Sequence, residues 1–124
     1  MDEPQLFRVD EARALMTEVR WRVDAFVQAR ADLAELSSDL GRGGSSPLGG
    51  VAEMKALQAR LDEMLEWFPG RGIEVKGVAP VLIDFPAMLD GVSVRLCWLE
   101  GEPELRWYHR SDLGIAGRRP LPRS

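Results

Sequence analysis

The stretch that decides the fold, residues 81–121, reads VLIDFPAMLDGVSVRLCWLEGEPELRWYHRSDLGIAGRRPL. Apolar and polar residues alternate along residues 92–98, and a period of two is the pattern of a half-buried β-strand. Asp90-Gly91 is typical of a two-residue hairpin turn, because both central positions of such a turn need a positive φ. The stretch therefore predicts a β-hairpin that continues into a meander.

Counting outward from the Asp90-Gly91 turn gives a register in which Asp84 lies opposite Cys97. We expect residues 100–103 to form the next turn, and the same counting across it places Arg106 opposite Cys97. The apolar partners then share one face. The other, polar face is predicted to carry Asp84, Arg95, Cys97, Arg106 and Tyr108. It is interpreted either as cross-strand charge pairing in contact with solvent or as a binding site.

Two helices are predicted before this stretch, because apolar residues recur at spacings of three, four or seven over about 10–40 and about 51–68. Asp10 is predicted to cap the first helix. Residues 41–50, GRGGSSPLGG, have the composition of a flexible linker. Trp21 lies off the apolar stripe, so it either packs flat on the aliphatic stems of its neighbours or marks a protein contact.

The fold class expected from these elements is α+β. A long antiparallel helical hairpin, residues 10–68 with the linker 41–50, packs on a small three- to four-stranded antiparallel β-meander, residues 73–109. An irregular Gly/Arg-rich tail, residues 110–124, follows. A length of 124 residues predicts that 1–124 form a single domain.

Composition bounds the class of protein. With 45% hydrophobic and 29% charged residues and one cysteine, the chain has the composition of a soluble protein without a disulfide framework. We expect a cytoplasmic protein without a membrane segment, since no signal or spanning pattern is visible. The net charge of −4 argues against general nucleic-acid binding. However, residues 106–124 hold five arginines against Asp112, which predicts contact with an anionic small molecule or an acidic protein surface.

The most specific residues of the chain are Phe7, Glu11-Ala12, Asp84-Phe85-Pro86, Leu96-Cys97-Trp98, Gly101-Glu102, Glu104, His109, Asp112, Gly114, Gly117-Arg118 and Pro120. Together with the order of elements, they resemble the small bacterial family catalogued as domain of unknown function 2203. The chain departs from that family at four positions: Arg8 stands where a capping Thr is usual, Val81 where Gly is, Arg110 where an acidic residue is, and Arg119 where Gln is. The resemblance implies the fold and leaves the function open.

The sequence does not identify an activity, and two classes of function remain. The first is a non-enzymatic interaction or regulatory module that acts as a homodimer through its helices, because the longer helix leaves an apolar overhang. The second is a small enzyme or a metal- or anion-binding protein. Its candidate residues are Asp84, Arg95, Arg106, His109, Asp112 and Arg118, with Trp21 as the candidate interface of the first class.

No cofactor and no intrinsic structural metal are predicted. A metal needs three or four ligands that converge. In the predicted register, the strands of Asp84 and His109 lie about 10 Å apart, on either side of a third strand. Arg118 is predicted to bind an anion or to dock on a carboxylate, since a guanidinium offers a bidentate fork.

Overall fold

The computed structural model of the protein describes residues 5–122. Two helices come first, and a sheet follows them, which confirms the α+β class. The elements are α1 (Val9–Gly41), α2 (Val51–Gly70), β1 (Glu74–Val78), β2 (Val81–Leu89), β3 (Val92–Leu99), β4 (Trp107–Arg110), a 3₁₀ turn (Ile115–Gly117) and β5 (Arg119–Pro120).

The sheet is an antiparallel meander whose strands follow chain order from β1 to β5. It has five strands rather than the three or four predicted. The additional strand, β5, is two residues long and lies in the segment that was expected to be an irregular tail: Pro120 pairs with Trp107 and Arg119 with Tyr108. The tail joins the sheet because β4 offers it a free edge of backbone donors and acceptors.

The hairpin of β2 and β3 has the predicted register, with Asp84 opposite Cys97 and Leu89 opposite Val92. At its turn, Asp90 has a φ of 51° and Gly91 a φ of 78°. Both values are positive, as a type I′ turn requires. The local turn signal was therefore sufficient to align these two strands.

The predicted register of β3 and β4 is wrong by one residue. Cys97 lies opposite Trp107 rather than Arg106, and Arg95 lies opposite His109. A slip of one residue exchanges the two faces of a strand. His109 therefore joins the polar face of Asp84, whereas Arg106 and Tyr108 leave it.

The loop of residues 100–106 explains this slip. Its Glu102 carboxylate accepts a hydrogen bond from the Leu99 backbone N–H at 2.7 Å, and the Glu102 carbonyl accepts one from Trp98 Nε1 at 3.1 Å. Leu105, which lies after the predicted turn of residues 100–103 and was therefore expected within the strand, is instead buried within the loop, at 2% exposure. The loop thus follows its own hydrogen bonds, and β4 begins two residues later.

Both helices begin with a glutamate that reaches back to a backbone N–H. In α1, Glu11 Oε1 accepts from the Arg8 N–H at 2.9 Å, and in α2, Glu53 Oε1 accepts from the Gly50 N–H at 2.8 Å. This contact is half of a capping box. The predicted cap at Asp10 is therefore wrong, and Arg8 occupies that position.

The chain forms two compact units. In the described chain, the first comprises residues 5–19 and 68–122, and so contains the sheet and the start of α1. Phe7 meets Phe85 edge to face, with ring centroids 5.3 Å apart. The α1 residues Ala12, Met16 and Val19 are buried in this unit as well. The first turns of α1 are thus covered and leave no apolar overhang.

The second unit, residues 20–67, contains the rest of α1 and most of α2. Phe26, Leu36 and Leu61 supply buried side chains. Two contacts join the helices in antiparallel order: Arg22 lies over the Trp67 ring at 4.3 Å, and the Ser37 hydroxyl donates to Met54 Sδ at 3.5 Å.

The connection between the helices contains a turn in which Ser46 and Gly49 form an isolated β-bridge. Among the helices within residues 5–122, none combines the length and the apolar composition that crossing a bilayer requires.

Candidate functional site

A cavity of about 260 Å³ opens on the polar face of the sheet. The strands supply Lys76, Asp84, Arg95 and His109 to its wall, and the segment after β4 supplies Ser111. Leu82, Leu113 and Ile115 also line the cavity. Its lining therefore includes both charged and apolar side chains.

A cluster of three buried side chains, Asp84, Cys97 and His109, lies on this face. Each is at most 4% exposed, and a carboxylate oxygen, the thiol sulfur and an imidazole nitrogen all lie within 4.8 Å of one another. Asp84 and His109 border the cavity directly. Three side chains from three neighbouring strands thus converge at the cavity wall.

The His109 ring is held in a defined orientation. Its Nδ1 lies 2.8 Å from the Arg110 carbonyl oxygen and its Nε2 lies 3.3 Å from Asp84 Oδ2. Since a carbonyl only accepts hydrogen bonds, Nδ1 carries the proton. In the neutral ring, Nε2 therefore has a lone pair that faces a carboxylate oxygen. A proton or a cation between these two atoms removes their repulsion.

The other oxygen of the same carboxylate, Asp84 Oδ1, is buried without a hydrogen-bond partner in the described chain. An unsatisfied buried carboxylate oxygen costs roughly 1–3 kcal/mol or more. Next to it, burial and the Asp84 charge raise the pKa of the Cys97 thiol to about 12. Cys97 alone is therefore not a ready nucleophile.

A second group of charges lies at the cavity. Arg95 donates from Nε to Glu74 Oε1 at 2.8 Å and from Nη1 to the Ser111 hydroxyl at 2.7 Å. Lys76 Nζ lies 3.4 Å from the same Glu74 oxygen. Burial opposes ionisation of Glu74, but Arg95 and Lys76 outweigh it and hold the pKa of Glu74 below its usual value. Two cations therefore share one carboxylate.

Two of the predicted site residues lie away from the cavity. Arg106 is exposed and lies 4.0 Å from Glu104. Asp112 is exposed and accepts from Arg110 Nε at 2.9 Å, and this pairing lowers its pKa. The structure brings Asp84, Arg95 and His109 together and leaves Arg106 and Asp112 in local ion pairs.

Arg118 docks on a carboxylate, which is one of the two roles predicted for it. Its Nη2 and Nη1 donate to the two oxygens of Glu102 at 2.6 and 2.9 Å, and Nη2 also donates to the Cys97 carbonyl at 3.2 Å. Trp107 lies under the guanidinium, with 5.1 Å to the ring centroid. The guanidinium of Arg118 thus has its carboxylate partner, Glu102, within the same chain.

Sequence reasoning missed Lys76 and Glu74 as members of the site. It placed Cys97 on the polar face, directly opposite Asp84, but did not include it among the candidate residues. Cysteines in strands are usually small buried hydrophobes, so residue type alone does not mark Cys97 as a ligand. No comparable signal marked Glu74, whose pairing with Asp84 depends on the bulged register of β1.

Comparison with known proteins gives one match. The family described as "Uncharacterized conserved protein (DUF2203)" matches residues 5–121. Neither the curated proteins nor the solved structures contain a match. The match covers both helices and all five strands, and the chain belongs to this family.

Proposed function

We propose that the protein binds a divalent transition metal, with zinc as the best fit, through Asp84, Cys97 and His109. The observation that carries the proposal is the orientation of His109, whose Nδ1–H is held by a carbonyl while Nε2 faces a buried carboxylate. Metal-binding histidines have this arrangement, in which the second nitrogen donates to a carbonyl or carboxylate. A cation at Nε2 removes the conflict with Asp84.

The donor set favours zinc. Imidazole nitrogen, thiolate sulfur and carboxylate oxygen are all ligands that zinc accepts at about 2.0–2.3 Å. Neighbouring ligands in a tetrahedral site are about 3.5 Å apart. The ligand atoms here lie within 4.8 Å of one another, so a closure of about 1 Å brings them into range.

The proposed site is of the open kind. Three protein ligands leave a fourth position, which is the arrangement of catalytic rather than structural zinc. Asp84 and His109 would hold the metal at the border of the cavity. A metal there supplies Lewis-acid polarisation of a bound oxygen. We therefore favour the second class of function, a small metal-binding protein or enzyme.

This proposal replaces the prediction that the chain holds no metal. That prediction relied on a separation between Asp84 and His109 that side chains could not bridge without an ion or water. Its premise is wrong, because the imidazole and the carboxylate approach to 3.3 Å.

Elemental analysis of the untagged protein, purified without chelator, tests the metal. We expect close to one zinc per chain, and much less in Asp84→Asn, Cys97→Ser and His109→Ala. Glu104→Gln is the matched control, since it changes an exposed carboxylate into an amide without touching the cluster.

Replacement of zinc by cobalt tests the ligands separately. The cobalt form of the wild type should have a thiolate-to-metal charge-transfer band, and Cys97→Ser should lose this band while keeping bound cobalt. Wild-type protein that takes up no zinc beyond the level of His109→Ala contradicts the proposal. If the wild type binds cobalt without this band, Cys97 is not a metal ligand.

A second candidate function is self-association through the helices. The overhang that motivated it is covered by the first unit, but the Trp21 indole is 67% exposed and supports the idea. Arg22 lies 5.8 Å from the Trp21 ring. Buried aromatic and arginine side chains commonly contribute most to the binding energy of interfaces.

Light scattering tests this second candidate. We expect twice the 13.9 kDa of one chain at micromolar concentration, and a shift toward 13.9 kDa in Trp21→Gln. Wild-type protein that scatters as a 13.9 kDa monomer across that range rejects the homodimer.

A further inference from the structure

We infer that the cavity takes a small carboxylic acid with one negative charge and a short apolar chain, which deepens the proposed metal function and rests on it. The observation behind this inference is that the lining of the cavity is mixed in character. It includes the cations Lys76 and Arg95 and the apolar side chains of Leu82, Leu113 and Ile115. A ligand that contacts both kinds of side chain has a charged part and an apolar part.

The charge of the ligand follows from the groups around the cavity. Lys76 and Arg95 share the carboxylate of Glu74, which leaves one positive charge in excess. A divalent metal bound by the Asp84 carboxylate and the Cys97 thiolate is neutral as a unit. The loaded site therefore carries about one net positive charge, which one carboxylate balances and a phosphate dianion exceeds.

The cavity offers hydrogen-bond donors for the carboxylate of the ligand. The Lys76 side chain is 50% exposed, and an ammonium has three N–H donors, of which Glu74 engages one. A metal held by Asp84 and His109 at the border of the same cavity would supply a second partner for a carboxylate oxygen. The Lys76 ammonium and the metal would thus both bind the carboxylate.

The apolar part of the ligand is short. The cavity of about 260 Å³ is smaller than the roughly 300–1,000 Å³ of pockets for drug-sized ligands. Leu113 and Ile115 are 46% and 43% exposed, although both border the cavity. A few methylene groups of a bound acid cover these two side chains and remove apolar surface from water.

Titration calorimetry of the zinc-loaded protein with butyrate, acetate, butyramide and inorganic phosphate tests the inference. Butyrate should bind at least about tenfold more tightly than butyramide, because the neutral amide leaves the excess charge unbalanced. Butyrate should also exceed acetate, and Leu113→Ser should reduce that preference. Lys76→Met should weaken butyrate binding about tenfold with an unchanged zinc content, whereas the matched control Lys55→Met should leave it as in the wild type.

The outcomes separate this inference from the metal proposal, because zinc is measured on the same samples. Equal binding of butyrate and butyramide would contradict the inference of a carboxylic-acid ligand. Tighter binding of phosphate, or unchanged butyrate binding by Lys76→Met, would contradict it as well. None of these results would contradict the metal proposal. Protein that holds no zinc and binds no butyrate overturns both.

Discussion

At the scale of single residues, the cluster of Asp84, Cys97 and His109 depends on side chains that are each unremarkable in the sequence. Cys97 lies in the middle of a strand, and its thiol is 0% exposed. Burial, followed by the charge of Asp84, raises its pKa to about 12 from an ordinary value of 9.0. At a pH between these two values, the thiol is therefore protonated in the metal-free folded protein and ionised in the unfolded chain.

The stability of the metal-free protein should depend on this difference. Below pH 9.0 both states hold the proton, so the contribution of Cys97 is constant. Between 9.0 and about 12 the unfolded state binds fewer protons than the folded state, so the free energy of unfolding falls as the pH rises.

Urea denaturation of chelator-treated wild type and Cys97→Ala measures this pH dependence. The pH series starts at about 8, roughly one unit below the ordinary thiol pKa of 9.0, and goes upward. The wild type should lose stability relative to the variant as the pH rises. Parallel curves for the two proteins would show that Cys97 has an ordinary pKa in the fold.

At the scale of elements, the β2–β3 hairpin is specified locally. The Asp90-Gly91 turn needs two positive φ values, and both occur. A Cβ at Gly91 meets no atom within 4 Å, so any cost of adding one comes from the backbone conformation.

Gly91→Ala should lower the free energy of unfolding by about 1 kcal/mol, because a residue with a Cβ is disfavoured at a φ of 78°. Gly70→Ala is the matched control, since Gly70 also has open space around it and its φ is not in the positive region. Chemical denaturation measures both. A Gly70→Ala variant that is destabilised as much as Gly91→Ala would remove the conformational explanation.

At the scale of the whole molecule, the contact of Arg118 with Glu102 fixes the tail to the sheet. The two side chains are 15% and 20% exposed, and Glu102 also accepts from the Leu99 backbone. Burial opposes the charge on Arg118, but the hydrogen bonds to Glu102 outweigh it and raise the pKa of the guanidinium. One ion pair therefore holds β5, the loop after β3 and β3 itself together.

Arg118→Lys should cost about 2 kcal/mol of stability, because an ammonium keeps the charge and loses the fork. Arg119→Lys is the control, since Arg119 is exposed and next in the chain. A double-mutant cycle with Glu102→Gln should show that the two substitutions are not additive. A wild-type denaturation midpoint for Arg118→Lys would mean that the fork contributes no stability.

The sequence by itself determined the helices, the α+β class and the register of the β2–β3 hairpin. These features depend on periodicity and on a two-residue turn, which are local. It also placed Asp84 and Cys97 side by side, because that pair follows from the same turn.

The tertiary structure decided the membership of His109 in the site. The loop of residues 100–106 follows hydrogen bonds of Glu102 that no local pattern reveals, and its length sets which face of β4 looks toward Asp84. A side chain can be assigned to a cluster only when the register of every intervening strand is known. For His109, that register depended on a single residue of loop length.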